Sequence, residues 1–400
     1  MTPPSGAESL LWVLAAAALA PWLSDRLAAW RLPVVALELV FGVVIGPQGL
    51  GLAEVEGALP FVARFGVTVL FFLAGMEIDF GRLRGRPLAI GTASWVLSLA
   101  LGGLAAYGLG ALGWVREPAI LALILSTTAL GVIAPILRDA KLADTPVGLC
   151  ATACGVMGEI GPILMMSALF VSAGRETQQV GFIALYAAIA IAVCWASFRI
   201  RPPAVLALLG KSMHRSGQWP VRLCILLLGL LVWIAEQFHL DLALGAFAAG
   251  LAVGLANRDP HSEVLEHKLD AIGFGMLVPV FFITSGMQLD VRALVAHPHT
   301  IGLVLLLALL LLVVRCAPAL LFTPWLGLRR ASAVGLYAAT SLSLIVALTS
   351  AAVSSGRMAP LSATVLVSAG LVSVLLFPWL AGLLLGRQAP AATCPAEDAL

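Results

Sequence analysis

Two ionisable residues near the middle of long apolar runs, Glu159 and Arg315, are the first candidates for chemistry. Glu159 lies between Gly158 and Gly161, and Pro162 follows, where it weakens the local backbone hydrogen bonding. Small neighbours would let an ion, water or another backbone approach the carboxylate. A charged residue inside an apolar run is energetically costly, so each of these two residues is first considered a candidate for function. We expect a proton and a metal cation to compete for Glu159, with Arg315 as its charge partner. A purely structural pair is the alternative, although buried pairs are not dependable stabilisers.

Two further glutamates lie in, or at the end of, apolar runs. Glu38 is deep enough in its run to line a cavity, and it is also within one to two helical turns of Arg31. It could line an access funnel or brace one, and the sequence does not decide between these roles. Glu77 and Asp79 end a run close to Arg82, which is more typical of an interfacial charge pair than of a binding site.

Two hydroxyl clusters interrupt apolar runs at corresponding places, namely Ser126-Thr127-Thr128 and Thr340-Ser341 with Ser343. Corresponding interruptions are the best sequence indication of a binding site at the membrane midplane. If both helices unwind there, freed carbonyls and half-helix dipoles can coordinate a cation, and the hydroxyls add oxygen ligands. Ser126 and Ser343 would line the approach. Hydroxyls in membrane helices often bond only to carbonyls of their own helix, but two clusters in register favour the site.

The elements that must position these residues are long apolar segments. Of the 400 residues, 61% are apolar and 11% are charged, whereas soluble domains are about 45–50% apolar. Runs of fifteen to twenty-five apolar residues can cross about 30 Å of hydrocarbon. An ordinary soluble protein is excluded, and a net charge of +2 with scattered basic residues argues against a nucleic-acid surface. We predict an all-α polytopic membrane protein with thirteen spans, near 8–24, 32–47, 60–79, 87–113, 117–138, 145–172, 179–199, 219–239, 241–256, 270–289, 299–322, 329–353 and 359–386.

The basic residues alternate between successive loops. Seventeen of the 23 Lys and Arg residues fall in one set of loops, five fall in the other, and Arg315 lies within a span. Because cytoplasmic loops retain Lys and Arg, the N-terminus is predicted outside and the C-terminus in the cytoplasm. No basic segment precedes the first run, so a cleaved signal peptide is not expected. Because the tail, 387–400, is short, we do not expect it to form a soluble regulatory domain.

The two halves of the chain resemble each other. VLFFLAGMEIDFGRL at 69–83 matches PVFFITSGMQLDVRAL at 279–294, seven spans later. The hydroxyl clusters form a second matching pair, and MGEIGP at 157–162 with AGLVSVLLFP at 369–378 forms a third. An odd shift in an alternating topology inverts one repeat relative to the other, and inverted repeats are typical of secondary transporters. We predict two inverted six-helix repeats on either side of a linking helix at 179–199.

Residues typical of other functional classes are missing. The sequence has no His-Glu-x-x-His helix, no Gly-x-Ser-x-Gly elbow and no paired membrane aspartates, so it does not predict an intramembrane enzyme. Cys150 and Cys154 lie one helical turn apart, which fits small apolar filler better than metal ligands. No cysteine set indicates a disulfide or zinc site, and no cofactor is expected.

Five segments together resemble the Kef-type and sodium/proton-exchanger group of monovalent cation:proton antiporters over nearly the whole chain. They are LPVVALELVFGVVIGPQGLGL (32–52), FFLAGMEID (71–79), LSTTALGVIAPILRDAKL (125–142), LGAFAAGL (244–251) and FFITSGMQLD (281–290). The resemblance implies a homodimer in the lipid bilayer. Each protomer would have a dimerisation scaffold, 8–80 with 219–290, and a mobile ion-transport core, 87–172 with 299–386. Together with the Ala/Leu/Gly/Arg-rich composition, it also implies a bacterial cytoplasmic membrane.

The same resemblance places crossed, unwound helices at Thr127-Thr128 and Thr340-Ser341. It also places the ion-carrying acid at Glu159 and the membrane-embedded basic residue at Arg315. Many relatives carry Asp-Asp, Asn-Asp or Gln-Asp where this chain has Gly158-Glu159, and several carry Lys in place of the arginine.

A single titratable group carries one proton or one monovalent cation, because arginine does not deprotonate in proteins. We therefore predict electroneutral exchange of Na⁺ or K⁺ for H⁺ by alternating access, in which Glu159 meets water on one side at a time. Two alternatives stay open. One is a Kef-type, channel-like efflux pathway without obligatory proton exchange, and the other is a sensor that binds an ion without moving it. The choice between sodium and potassium also stays open.

Overall fold

The structure is a computed structural model of the chain and describes residues 5–26, 33–78, 83, 85–113, 115–169, 218–238, 240, 242–256, 262–296 and 298–386. Every regular element in these residues is helical, which confirms the predicted all-α fold. In chain order the helices are α1 Gly6–Arg26, α2 Val34–Ile45, α3 Leu59–Met76, α4 Arg86–Ala111, α5 Pro118–Leu125, α6 Leu130–Asp139, α7 Pro146–Leu169, α8 Trp219–Gln237, α9 Leu242–Ala256, α10 Ser262–Ile272, α11 Val278–Met287, α12 Val291–Ala296, α13 Pro298–Ala319, α14 Thr323–Leu326, α15 Leu328–Ala339, α16 Ser343–Ser354 and α17 Pro360–Leu385. A π-helical segment, Gly273–Leu277, joins α10 to α11, and a 3₁₀ turn, Leu320–Phe322, joins α13 to α14.

Within these residues, nine helices are long and apolar enough to cross a membrane, and three shorter apolar helices accompany them. The polytopic membrane architecture is therefore confirmed. The predicted span at 179–199 and the tail at 387–400 lie outside the described residues, so the count of thirteen spans stays a prediction. One predicted boundary is wrong. The span expected to begin at 270 belongs to a helix that begins at Ser262 and continues through the π-helical segment to Met287.

The chain divides into two compact units. The first comprises Met1–Gly57, Phe80–Pro162 and Phe282–Leu400, and the second comprises Ala58–Asp79 and Ile163–Phe281. This division groups α1 and α2 with the helices of the predicted core, whereas the predicted scaffold included them. The division into a scaffold and a mobile core stays a prediction.

In the second unit, α3 and α9 cross at glycines that bring the two backbones together. A Cβ atom on Gly75 would collide with the carbonyl of Phe247, and a Cβ atom on Gly250 would collide with the carbonyl of Phe72. Small residues permit this close approach of membrane helices. The FFLAGM segment of α3 is thus fixed against α9 by backbone contacts.

In the first unit, α2 and α11 cross through the same kind of contact. Gly42 lies against the carbonyl of Ile283, and Gly286 lies against the carbonyl of Leu39. Gly286 corresponds to Gly75, because FFITSGM in α11 matches FFLAGM in α3. Gly42 corresponds to Gly250, because each lies against a carbonyl of the matching segment. These equivalent contacts support the predicted repeat, which itself stays a prediction.

The helices that carry the candidate site belong to the first unit. There α13, α15 and α17 pack on one another, and α4 packs on α5 and α13. A buried cluster that includes Cys150 and Cys154 of α7 and Val334 of α15 fastens α7 to this group. At the far ends of the two broken helices, Arg357 forms an ion pair with Glu117 at 2.9 Å.

Candidate functional site

Two helices of the first unit are interrupted at the hydroxyl clusters, where the sequence predicted interruptions. Helix α5 ends at Leu125 and α6 begins at Leu130, while α15 ends at Ala339 and α16 begins at Ser343. The predicted hydroxyl residues are all buried, namely Ser126, Thr127, Thr128, Thr340, Ser341 and Ser343. Each interruption therefore brings irregular backbone, with its carbonyls and amides, into the interior of the unit.

The two interruptions touch each other. The Ala129 amide donates to the Thr340 carbonyl at 2.9 Å, and the Thr127 and Ser341 hydroxyls share a hydrogen bond of 2.5 Å. The Thr128 hydroxyl donates to the Ala338 carbonyl at 2.7 Å. The structure thus brings the predicted Thr127-Thr128 and Thr340-Ser341 segments together at one crossing.

Helix α7 lies against this crossing at the residue that precedes Glu159. The Thr128 amide donates to the Gly158 carbonyl at 3.0 Å. Glu159 itself is 2% exposed, so its carboxyl is removed from bulk water. Glu159 therefore directly follows the residue of α7 that contacts the first interruption.

Arg315 of α13 joins all three parts of the site. It is 1% exposed, and its guanidinium donates to the carbonyls of Ala338 and Cys154, each at 3.2 Å, and to the Thr128 hydroxyl. Ala338 lies in the last turn of α15, where helix carbonyls carry partial negative charge. The arginine therefore offsets the end of a half-helix and contacts α7 one turn before Gly158. Its role as the charge partner of Glu159 stays a prediction.

Gly158 is confined by the residues that face it. A Cβ atom there would lie 2.7 Å from Arg315 Nη2 and 2.8 Å from Thr128 Cβ, closer than real contacts allow. A side chain at 158 would therefore displace both residues. This packing gives a steric reason for glycine at the position where relatives were expected to carry an additional polar or acidic side chain.

Several hydroxyls also make local bonds of the kind expected for ordinary membrane helices. Ser126 donates to the Leu123 carbonyl at 2.8 Å, Thr127 to the Ile124 carbonyl at 2.7 Å, and Thr340 to the Leu336 carbonyl at 3.1 Å. A hydroxyl that donates its proton keeps lone pairs. These oxygens can therefore still face a cation.

Ser373 of α17, which is not among the residues predicted from the sequence, stabilises the second interruption. Its hydroxyl accepts from the Ser341 amide at 3.1 Å and lies 3.0 Å from the Ser341 carbonyl. Gly370, one turn earlier, lies against that carbonyl as Gly158 lies against Thr128. Ser373 lies in AGLVSVLLFP, the segment that matches MGEIGP with its Glu159, and this position is the signal that could have identified it.

The remaining sequence candidates lie apart from these contacts. Glu38 is buried in α2, where its helix packs on α11. Glu77 follows the last residue of α3 in the second unit, and its interfacial position stays a prediction. Its neighbours Asp79 and Arg82, like Arg31 near Glu38, lie outside the described residues.

The family described as sodium/hydrogen exchanger, transmembrane, matches residues 14–387. The chain is 27% identical over 355 residues to a Bacillus subtilis protein provisionally named a Na(+)/H(+) antiporter, YjbQ, covering 85% of this chain and 56% of that protein. It is 30% identical over 308 residues to the glutathione-regulated potassium-efflux system protein KefC of Klebsiella pneumoniae, covering 74% of this chain and 47% of that protein. The chain thus spans about half the length of these curated relatives.

A solved structure has the same fold. The sodium proton antiporter MjNhaP1 from Methanocaldococcus jannaschii at pH 8 superposes with a TM-score of 0.68 and 16% identity, covering 94% of this chain and 97% of that one. Because the family match extends over most of the chain, as does the fold, this multi-pass membrane protein belongs to the transmembrane sodium/hydrogen exchanger family.

Proposed function

We propose that the protein exchanges a monovalent cation, Na⁺ or K⁺, for protons across the membrane. The observation that carries the proposal is the contact of Thr128 with Gly158, which sets the buried Glu159 next to two crossed helix interruptions. A carboxylate beside freed carbonyls and hydroxyls offers the oxygen ligands that a monovalent cation uses. No bond of the substrate is made or broken, so the protein acts as a transporter rather than an enzyme.

Each ligand has its own role in this proposal. Glu159 carries either the proton or the cation, and Thr127, Thr128, Thr340 and Ser341 supply oxygen atoms. Arg315 offsets the charge of the site, while Ser126 and Ser343 line the approach. Alternating access then exposes Glu159 to one side of the membrane at a time.

The exchange is proposed to be electroneutral. A side chain at residue 158 would press on Thr128 and Arg315, so this packing disfavours a second acid next to Glu159. Arginine does not deprotonate in proteins. One carboxylate then carries one proton in one direction and one monovalent cation in the other, and no net charge crosses the membrane.

The proposed setting follows from the basic loops and the family resemblance. The protein would lie in a bacterial cytoplasmic membrane, with its N-terminus outside and its C-terminus in the cytoplasm. It would act as a homodimer with the scaffold and core ranges given above. Crosslinking in native membranes and labelling of single cysteines from either side would test these points.

Proton flux in proteoliposomes tests the central proposal. A pH dye inside the vesicles reports dissipation of an imposed pH gradient when sodium, potassium or lithium is added. We expect one or more cations to dissipate it, Glu159→Gln to abolish the response, and the exposed-site control Glu56→Gln to leave it unchanged. A cation response that persists in Glu159→Gln would show that another group carries the ion, and a membrane current driven by the gradients would contradict electroneutrality.

A Kef-type efflux pathway is the second candidate, because the chain resembles the potassium-efflux protein KefC. In that case potassium would leave loaded vesicles down its gradient without proton movement. Tracer efflux measured with and without a pH gradient separates the two functions, since an exchanger requires the counter-ion on the opposite side.

A further inference from the structure

The carboxyl group of Glu38 is buried within α2. The residue is 4% exposed, and across the part of the chain that the structure describes, no group forms a hydrogen bond with its Oε2 atom. An isolated charge in such surroundings is costly enough that the group takes up a proton or acquires a counter-ion. The surroundings of Glu38 decide between these two outcomes.

The helices packed on α2 bring no positive charge to it. Helices α11 and α17 contain no charged residue, and the charges of α1 are confined to Glu8 near its start and Asp25 and Arg26 at its end. The Arg26 guanidinium lies over the Trp22 ring, 5.2 Å from its centroid. Among the described residues, Glu38 therefore has no cationic partner.

The equivalent crossing in the second unit does not use an acid. Glu38 lies four residues before Gly42, and Ala246 lies four residues before Gly250, the glycine that holds the matching place in α9. Ala246 is fully buried. Because both crossings are made by the same glycine-to-carbonyl contacts, close packing does not require a carboxylate at this position. Close packing alone therefore does not account for the acid at residue 38.

We propose that Glu38 is a second proton-binding site, separate from the carboxylate that the transported cation occupies, and that it keeps its proton when the cation binds. A bare cation needs several oxygen ligands, whereas the carbonyl oxygens at the α2–α11 crossing, those of Ile283 and Leu39, are covered by Gly42 and Gly286. A proton needs only the carboxylate itself. This inference rests on the proposed exchange, because that proposal defines the cation-bound state in which Glu38 keeps its proton.

Infrared spectroscopy of the full chain in lipid tests whether the proton is present. A protonated carboxyl gives a carbonyl band that a carboxylate lacks. We expect a buried-acid band in the wild type at saturating sodium or potassium, its persistence in Glu159→Gln and in the exposed control Glu56→Gln, and its loss in Glu38→Gln. If Glu38→Gln does not fold, Glu38→Ala can be used instead, because alanine occupies the equivalent position in the crossing of α3 with α9. The band should be lost in that variant too. A wild type without the band, or a band unchanged in both Glu38 variants, overturns the proposal.

Proton release on cation addition separates this site from the exchanging one. In weakly buffered detergent solution, wild type and Glu38→Gln should each release about one proton per protomer when cation binds, and Glu159→Gln none. Loss of release in Glu38→Gln would make Glu38 the exchanging acid and overturn its separate role. No release from the wild type, with the Glu38 band intact, would contradict the proposed exchange and leave the second proton site standing.

Discussion

The amide of Ala129 donates to the carbonyl of Thr340 over 2.9 Å, which joins two helix interruptions from opposite halves of the chain. Backbone groups freed by one interruption are satisfied by the other, as buried peptide groups require. The hydrogen bonds between the two interruptions therefore stabilise the fold, whether or not an ion is bound. Substitutions near it should affect folding and transport in separable ways.

Ser373→Ala should destabilise the second interruption. The variant removes the hydroxyl that accepts from the Ser341 amide and lies beside its carbonyl. Leaving these buried groups unsatisfied costs about 1–3 kcal/mol. Thermal unfolding in detergent should show a lowered midpoint, and the apparent affinity for cation should fall.

Ser98→Ala is the matched control for that variant, because Ser98 is equally buried and its hydroxyl donates to a carbonyl of its own helix. A control that loses as much stability as Ser373→Ala would show that neither contact with Ser341 matters.

Gly158→Ala should be poorly tolerated. The new methyl group would press on Arg315 and on Thr128, and overpacking of this kind costs about 1–3 kcal/mol. Cation-driven proton flux should fall more than the amount of folded protein, because both displaced residues belong to the site. Gly103→Ala is the control, since a Cβ there meets open space. Equal activity of the two variants would mean that residue 158 has room for a side chain, and the steric argument for one acid would fail.

Arg315→Lys and Arg315→Gln should separate charge from geometry. Lysine keeps the charge but loses the planar donor set that reaches Ala338, Cys154 and Thr128. We expect Arg315→Lys to fold with lowered thermal stability and to retain part of the flux, and Arg315→Gln to lose it. Normal flux in Arg315→Gln, measured in proteoliposomes at matched protein density, would assign Arg315 a packing role alone. Arg330→Gln, at the other end of α15, serves as the control.

Cation affinity should depend on pH through direct competition. If a proton and a cation share one carboxylate, the apparent affinity for cation should fall by about tenfold per pH unit once the acid is protonated, and it should level off at alkaline pH. The check is flux measured over a series of cation concentrations at each pH. A cation affinity that is constant across the acidic range would contradict competition.

The sequence was sufficient to locate the helix interruptions. Thr127-Thr128 and Thr340-Ser341 stand out because polar residues break apolar runs at corresponding places, and inverted repeats carry their site there. Glu159 and Arg315 stand out because charge inside an apolar run is costly. These signals depend on residue type and position, which a sequence records directly.

Contacts between distant segments were not accessible in the same way. The closeness of Gly158 to Arg315 depends on how α7 and α13 pack, and no local pattern encodes it. The beginning of α10 was missed for another reason. The segment from Ser262 is polar overall, but Leu265 and Leu269 lie one turn apart and are buried. This apolar stripe extends the helix toward the N-terminus, whereas mean apolarity alone would place its beginning at 270.

The ion pair between Arg357 and Glu117 has a consequence for hydrogen exchange. Helix α5 has eight residues, too few to be stable in isolation. Yet it is fastened at one end by this pair and at the other by the crossing. Its amides should then exchange with solvent only in openings that release both ends. Deuterium uptake in Pro118–Leu125 would thus serve as a label-free gauge of cation occupancy, with slower uptake as the crossing fills.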